Sequence, residues 1–190
     1  MIKEKYLKVD KKNTFFNKKY KNKKNFKLIK HDFKFIHNFL ENKKIQFNNK
    51  KIADVGCANG SFLHFLKSVY PNNIYHGIDS DRHLINSNKK NNSLKNISFF
   101  KKSILKKFSK NCYNVITCLG TLNLFLDQEF VLKNLLRHLH KGGFLILNCY
   151  LNKSNIDVNL NYKKYVKNNE SVSNSIYFKS YQKIKNFFLR

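Results

Sequence analysis

Residues 51–60 of the sequence read KIADVGCANG, a short apolar run followed by a loop that holds two glycines. The first five of these residues have the length and composition of a buried strand. Gly56 and Gly60 bound a tight turn, and a helical pattern with apolar residues on one side follows over residues 61–70. Pro71 ends that pattern. A strand, a glycine loop and a helix therefore open the central part of the chain.

The same alternation continues to residue 150 and predicts the fold class. A helix that begins near residue 26 precedes the first strand and places Ile29, Phe33, Ile36 and Leu40 on one face. Further strands are predicted over residues 74–78, 97–100, 113–119 and 144–150, with helices after residue 81 and over residues 127–140. Strands and helices that alternate at this spacing form a parallel sheet covered on both faces. We therefore predict a Rossmann-like, doubly wound α/β sandwich.

Three features follow the predicted strands directly, at the sheet edge where such folds bind ligands. The loop from Gly56 to Gly60 permits positive φ angles and a close approach of main chain to ligand. Asp79 ends the second strand, where a carboxylate can accept hydrogen bonds from both hydroxyls of a ribose. Leu119 and Gly120 end the fourth strand, opposite the first loop. These features predict a nucleoside-binding site.

The same residues resemble the motifs of class I S-adenosylmethionine-dependent methyltransferases. The matching stretches occur in the family's order and spacing and are residues 52–61, 75–79, 113–120 and 139–146. The resemblance covers about residues 26–150 and implies the cofactor S-adenosyl-L-methionine. It places Asp54 near the methionyl ammonium and Asp79 on the ribose hydroxyls. It implies further cofactor contacts from Gly56, Cys57, Ala58, Asn59, Gly60, Ser80, Ser103, Ile104, Leu119 and Gly120.

One position departs from the family pattern. Family members often carry an aspartate after the third strand to meet the adenine amino group, whereas Ser103 and Ile104 follow two lysines here. Ser103 can offer a hydroxyl or a backbone group instead. No catalytic residue is nominated, because Asn123, Asn148 and Tyr150 near the fourth and fifth strands are typical of structural hydrogen bonding. No histidine or cysteine spacing predicts a metal site.

The sequence favours methyl transfer to a small molecule or a sugar over several other functions. A nicotinamide-dependent dehydrogenase is disfavoured because Asp54, two residues before the first glycine, would repel a pyrophosphate. The DNA amino-methyltransferases that carry two prolines after the fourth strand are excluded, since Pro71 is the single proline. An RNA methyltransferase, an RNA-binding protein and a truncated, weakly active cofactor-binding remnant remain alternatives.

The charge of the chain does not decide between these alternatives. The 190 residues include 38 Lys+Arg and 11 Asp+Glu, a net charge of +27, which is typical of nucleic-acid partners. Only three of the basic residues are arginine, the residue that recognises phosphate and bases in bidentate geometry. Residues 51–150 carry 14 basic and five acidic residues, or +9 of the total. An RNA partner is therefore possible but not favoured, and the sequence leaves the oligomeric state open.

Composition also predicts the organisation of the chain. Residues 1–25 form a Lys/Asn-rich arm, residues 26–150 the cofactor-binding domain, and residues 151–190 a C-terminal segment that we expect to be helical over 174–190. Forty residues are few for the helix and antiparallel strand pair that usually finish this sheet, so we expect that pair to be missing. The fifth strand is then an edge. Four dispersed cysteines and the lack of a long apolar run predict a cytoplasmic protein without a membrane span.

Overall fold

A computed structural model describes Phe26 and residues 29–106, 112–165 and 171–189, and the predicted arm lies outside these residues. The described helices are α1 (His31–Asn42), α2 (Ser61–Val69), α3 (Arg82–Lys89), α4 (Gln128–Leu136) and α5 (Tyr181–Phe188). The strands are β1 (Lys51–Val55), β2 (Ile74–Asp79), β3 (Ser98–Lys101), β4 (Tyr113–Leu119), β5 (Leu139–Asn148), β6 (Leu151–Asn152), β7 (Val158–Tyr165) and β8 (Ser171–Ser180). Short 3-10 turns lie at Asn92–Leu94 and Leu122–Leu124.

The first five strands form one parallel sheet in the order β3-β2-β1-β4-β5. Strand β1 lies at the centre, with Asp54 in register with Gly77 of β2 and Thr117 of β4. Four of its five residues are buried, as expected for a strand covered on both faces. The parallel, doubly wound fold predicted from the sequence is confirmed.

Helices cover the two faces of this sheet with separate apolar clusters. On one face, α1 and α2 bury residues such as Phe33, Leu40 and Leu63 against β1 and β4. On the other face, α4 and α5 contribute residues such as Leu132 and Ile184. Ile29 does not belong to the first cluster, because it precedes α1 and is 46% exposed. The predicted apolar face of the first helix therefore begins at Phe33.

The boundary between the fourth helix and the fifth strand was predicted incorrectly. Helix α4 ends at Leu136, not at residue 140, and β5 already begins at Leu139. Leu139 pairs with Tyr113, and the register then shifts before Val115 meets Phe144. Gly142 takes a φ of 78° within this irregularity. The glycine pair thus supports an irregular start of the strand, which helical periodicity alone does not distinguish from a helix end.

The C-terminal segment is the larger correction. The expectation of a helix over residues 174–190 is wrong for its first part, since β8 continues to Ser180 and α5 begins at Tyr181. The expected lack of an antiparallel pair is also wrong, because β7 and β8 pair antiparallel, with Val158 opposite Phe178. In β7, apolar residues alternate with Asn159 and Asn161, a period of two that indicates a strand.

These strands do not extend the main sheet. Strands β6, β8 and β7 form a three-stranded sheet of their own, and β5 stays at the edge of the five-stranded sheet, as predicted. The buried Asn123 fastens the small sheet by donating to the carbonyl oxygens of Tyr150 and Tyr177, at 2.7 Å each. Asn123 also accepts from the Tyr150 N–H at 2.8 Å. The small sheet therefore lies beside the carboxyl ends of β4 and β5.

Candidate functional site

The loop after β1 is shaped by main-chain hydrogen bonds to β2. The N–H groups of Gly56 and Cys57 both donate to the Ile78 carbonyl, at 2.8 and 3.1 Å. Gly56, Ala58 and Gly60 all have positive φ, so the loop turns sharply before α2. Positive φ costs little only at glycine, and Ala58 is held there by contacts on both of its peptide groups. These hydrogen bonds fix the conformation of the loop.

Asp79 supplies one of those contacts to Ala58. Its Oδ2 accepts from the Ala58 N–H at 3.0 Å, and its Oδ1 accepts from the Asp81 N–H at 2.9 Å. The carboxylate is half-buried, and burial raises its pKa, although these N–H groups act in the opposite direction. Asp81, not Asp79, caps helix α3. Because each carboxylate oxygen has two lone pairs, Asp79 keeps acceptor capacity for a ligand.

Asp54 lies deeper, on β1, and is 3% exposed. Its Oδ1 accepts a hydrogen bond of 2.7 Å from the Thr117 hydroxyl on β4. Burial raises the pKa of Asp54 to about 7, while the hydrogen bond from Thr117 and the charge of Lys30 lower it. A buried carboxylate with a raised pKa is one that a cation would stabilise in its charged form.

The glycines of the two loops differ in what occupies the space beside them. A Cβ on Gly56 would lie 2.1 Å from Oγ1 of Thr121, so the loop after β4 fills that space. A Cβ on Gly60 would approach Leu94 and Phe99 at 3.0 to 3.3 Å. Gly120, with a φ of 70°, has no described atom within 4 Å of its Cβ position. The open space at this edge therefore lies at Gly120, whereas Gly56 and Gly60 permit close packing.

The remaining predicted contact residues are placed as follows. Cys57 and Asn59 are buried, and Asn59 accepts from the Ser61 N–H at the start of α2. Ser80 is exposed and half-buried Ser103 accepts from the Leu105 N–H within a turn. Ile104 packs into the cluster beneath α4. The site thus brings together Asp54, residues 56–60, Asp79 and residues 119–120, while the Ile104 side chain points into the core.

The three residues weighed as catalytic bases have other contacts or remain exposed. Asn123 uses its amide to fasten the small sheet. Asn148 donates to Oδ2 of Asp32 in the first turn of α1 at 3.3 Å. Tyr150 is 68% exposed and its ring lies 6.2 Å from that of Phe178. Asn123 and Asn148 thus use their side-chain amides in contacts within the fold.

Sequence reasoning missed three residues that shape the site: Thr117, Thr121 and Asn88. Asn88 on α3 donates to the Ala58 carbonyl at 2.7 Å and so holds the glycine loop from a third side. Thr117 was detectable, because a strand beside β1 brings its residue into register with Asp54. Asn88 and Thr121 carry no local signal, since their contacts depend on how the helix and loops pack.

A comparison with known families identifies this arrangement. A profile described as a methyltransferase domain matches residues 46–188, about three quarters of the chain. The chain belongs to the methyltransferase domain family. S-adenosylmethionine is the cofactor that this membership implies.

Individual methyltransferases resemble the chain at low identity. A malonyl-[acyl-carrier protein] O-methyltransferase of Bacillus anthracis is 23% identical over 135 residues, which cover 68% of this chain and 50% of that relative. The sugar N-methyltransferase KedS8 of Streptoalloteichus sp ATCC 53650 has a TM-score of 0.67 at 11% identity, over 93% of this chain and 83% of that one. The plantazolicin methyltransferase BpumL, solved with SAH, has a TM-score of 0.53 at 25% identity, over 63% and 45%. The chain spans about half the length of the curated relatives it matches.

The described residues hold neither a membrane-spanning helix nor a cluster of metal ligands. No described helix combines the length and apolar character needed to cross a bilayer. No group of three or more His, Cys, Asp or Glu side chains in the described ranges has the geometry of a metal site.

Proposed function

We propose that the chain transfers a methyl group from S-adenosylmethionine to a small-molecule or sugar acceptor. The observation that carries the proposal is the pair of carboxylates on adjacent strands, Asp54 with its raised pKa and Asp79 with spare acceptor capacity. They lie around an ordered glycine loop in a chain that belongs to the methyltransferase domain family. Asp54 can bind a cation and Asp79 a diol, and the cofactor offers both, as its methionyl ammonium and its ribose hydroxyls.

The chemistry of Asp54 fits the methionyl ammonium. Its side chain is buried, with its pKa raised to about 7, so it is partly protonated at neutral pH. An ammonium group beside it would favour the ionised form and would gain a charge-assisted hydrogen bond. Thr117 holds Oδ1 in place at 2.7 Å, so Asp54 can keep its orientation in either protonation state.

Asp79 fits the ribose in the same way. Its two oxygens already hold the N–H groups of Ala58 and Asp81, which fixes the plane of the carboxylate. The remaining lone pairs can accept from the 2′- and 3′-hydroxyls. The backbone of residues 56–60 would border the methionine and sugar, and Ser80 and Ser103 would border the adenine.

The chain's contribution to the reaction is alignment. When bound, S-adenosylmethionine supplies a methyl group on a positively charged sulfur. Leu119 and Gly120 would border that methyl group, and the open space at Gly120 would admit the acceptor. Alignment of two bound reactants contributes up to about 7–11 kcal/mol to such a displacement. We assign no general base.

Several observations support a small acceptor. KedS8, which has this fold over 93% of the chain, is by its name a sugar methyltransferase, and the curated relatives act by name on a malonyl group carried by a protein. Residues 26–150 form the cofactor-binding domain in this proposal. The four unpaired cysteines support a cytoplasmic location.

Titration calorimetry with S-adenosylmethionine and S-adenosylhomocysteine tests the cofactor site. Asp79→Ala should weaken binding of both by about 100-fold or more, because two hydrogen bonds to a charged group are lost. Asp127→Ala is the control, since the Asp127 carboxylate caps α4 by accepting from the Phe130 N–H and is not among the proposed cofactor contacts. Undiminished binding to Asp79→Ala would overturn the assigned site.

The acceptor class is tested separately, with cofactor binding as a reference. A small or sugar acceptor predicts that binding of a generic RNA is lost at moderate salt while cofactor binding persists. Tight RNA binding with a steep salt dependence would instead support the RNA methyltransferase alternative.

A further inference from the structure

The proposed function leaves one charged group of the cofactor without a partner. The methionyl part of S-adenosylmethionine carries a carboxylate on the same carbon as the ammonium that Asp54 would bind. Asp54 and Asp79 are both acids, so neither stabilises a second anion. A carboxylate beside the buried Asp54 therefore needs a cation or several N–H donors close by.

The glycine loop has few N–H groups left for an anion. Five of the six N–H groups over residues 56–61 already donate hydrogen bonds within the fold, namely those of Gly56, Cys57, Ala58, Gly60 and Ser61. Their acceptors are oxygen atoms of β2 and of the loop itself. Because the loop's own donors are largely occupied, a cationic side chain from another element is the better partner for the carboxylate.

Helix α1 begins at the edge of the sheet where the glycine loop lies. Near its start, the ring of Phe33 lies 4.8 Å from that of Phe62, at the start of α2. At its end, Glu41 accepts a hydrogen bond of 2.7 Å from the hydroxyl of Tyr70, which directly follows α2. The two helices therefore run in the same direction. Since α2 starts directly after the glycine loop, the start of α1 lies beside that loop.

Lys30, the residue directly before α1, supplies a cation there. Its carbonyl accepts from the Phe33 N–H at 3.1 Å, and its Nζ lies 5.2 Å from the centre of the Phe33 ring. Asp32 in the same turn accepts from Asn148 at the carboxyl end of β5. Burial raises the pKa of Asp54 to about 7, and the positive charge of Lys30 acts in the opposite direction. The ammonium of Lys30 thus lies within electrostatic range of Asp54.

We propose that Lys30 binds the methionyl carboxylate of the cofactor through its ammonium group. The inference rests on the proposed function and adds a third charged contact to it. In the free protein, the charge of Lys30 partly offsets that of ionised Asp54. With the cofactor bound, Asp54 pairs with the methionyl ammonium and Lys30 with the carboxylate next to it. Each charge of the methionyl group then faces an opposite charge of the chain, one on β1 and one at the start of α1.

A comparison of two ligands tests this contact. S-adenosylhomocysteine carries the carboxylate, and its decarboxylated analogue, S-adenosyl-3-thiopropylamine, has a hydrogen in its place. In titration calorimetry the wild-type chain should bind the first about tenfold more tightly, because the analogue lacks the charge-assisted hydrogen bond to Lys30. Lys30→Met should bind the two ligands with similar affinity. Lys30→Arg should keep the preference, since a guanidinium also binds a carboxylate.

Lys43→Met is the matched control, because it removes the same charge from the other end of the same helix. Lys43 directly follows α1 and is exposed. It lies about 20 Å from Lys30 along the helix, well beyond the screening length of about 8 Å at physiological salt. The preference for the carboxylate should persist in this variant. An equal loss in both variants would assign the effect to net charge and would overturn the contact.

An Asp54→Asn background separates a direct contact from an effect that passes through Asp54. If Lys30 acted only on Asp54, Lys30→Met would change nothing in this background. A direct contact predicts instead that Asp54→Asn still prefers S-adenosylhomocysteine over the analogue, and that adding Lys30→Met abolishes the preference. A wild-type chain that binds both ligands equally would overturn the role of Lys30 and leave the cofactor site in place. A wild-type chain that binds neither ligand would overturn the proposed function, and this inference with it.

Discussion

Thr117 on β4 donates a hydrogen bond of 2.7 Å to Oδ1 of Asp54 on β1, inside the sheet. The two residues are in register on adjacent strands, and both are at least 97% buried. A neutral hydroxyl satisfies one lone pair of the carboxylate but does not balance its charge, so burial raises the pKa of Asp54 to about 7. The fold therefore disfavours the ionised form of Asp54 unless a cation binds beside it.

The cost of burying ionised Asp54 should make the free energy of unfolding depend on pH. The folded pKa of Asp54 lies above its usual value of 3.8, so its contribution to stability is greatest at low pH and is lost as pH rises through 7. Compared with Asp54→Asn, the wild-type free energy of unfolding should fall by about 1–3 kcal/mol between pH 5 and pH 8. Urea unfolding of both proteins measures this difference, and a constant difference across the range would contradict the raised pKa.

Cofactor binding should show the opposite trend with pH. The methionyl ammonium selects ionised Asp54, whose population rises roughly tenfold from pH 6 to pH 8 around a pKa of about 7. The affinity for S-adenosylhomocysteine should rise by about that factor, with release of a proton. In Asp54→Asn the affinity should be weak and lose this rise, although Asp79 is still present. An equal rise in both proteins would assign the pH dependence to another group.

We expect substitutions at Gly56 and Thr121 to have coupled effects on stability, for a purely steric reason. A Cβ on Gly56 would lie 2.1 Å from Oγ1 of Thr121, at a φ of 80°. Gly56→Ala should therefore cost about 2–5 kcal/mol from overpacking and backbone strain together. In a Thr121→Gly background the overpacking is relieved, and the same substitution should cost only the strain, about 1–2 kcal/mol. A double-mutant cycle by chemical denaturation measures the coupling, and additive effects would contradict the contact.

The centre of the main sheet was predictable because β1 and β4 are short apolar runs that are buried almost throughout. The site loops were predictable for a related reason, since Asp79 and Gly56 directly follow strands and parallel strands end at one edge. The small sheet was not predicted, because the forty residues after position 150 are few for both a helix and a strand pair. The alternation in β7, Val158 and Leu160 against Asn159 and Asn161, is nevertheless a strand signal.

Contacts between loops could not be predicted from the sequence, for a different reason. Thr121 fills the space beside Gly56 only because β4 lies next to β1 and both loops leave the same edge. The sequence indicated a ligand against Gly56, whereas the structure places a side chain there. Among the glycines of the loops after β1 and β4, Gly120 is the one with open space beside it. Whether a glycine leaves room for a ligand depends on how the loops pack, and no local sequence pattern predicts this packing.

Gly120 and Gly142 form a matched pair that tests this distinction. Both have φ near 75°, both are exposed, and neither has a described atom within 4 Å of its Cβ position. Alanine at either position should cost a similar 1–2 kcal/mol, roughly the strain of the left-handed region. Only Gly120→Ala should also weaken S-adenosylhomocysteine binding, by roughly tenfold, or about 1.4 kcal/mol. Equal affinities of the two variants, measured by calorimetry, would remove Gly120 from the cofactor site.

Asn123 provides the last prediction, about the attachment of the small sheet. Its buried amide donates to two carbonyl oxygens and accepts from the Tyr150 N–H. Gln128 also donates to the Tyr177 carbonyl at 2.9 Å, so Asn123→Ala leaves mainly the Tyr150 peptide groups without partners. Loss of the two part-buried hydrogen bonds to the Tyr150 peptide groups should cost about 1–3 kcal/mol.

The matched control is Asn161→Ala, because Asn161 is exposed on β7 and its amide oxygen accepts from Ser175 at 2.6 Å. It should cost less than about 1 kcal/mol. Hydrogen exchange should also separate the two variants, with protection lost over residues 175–180 in Asn123→Ala and kept in Asn161→Ala, while β1 and β4 stay protected in both. Global destabilisation without selective exchange in the small sheet would mean that Asn123 supports the whole fold, since a fastening residue should release only the element that it holds.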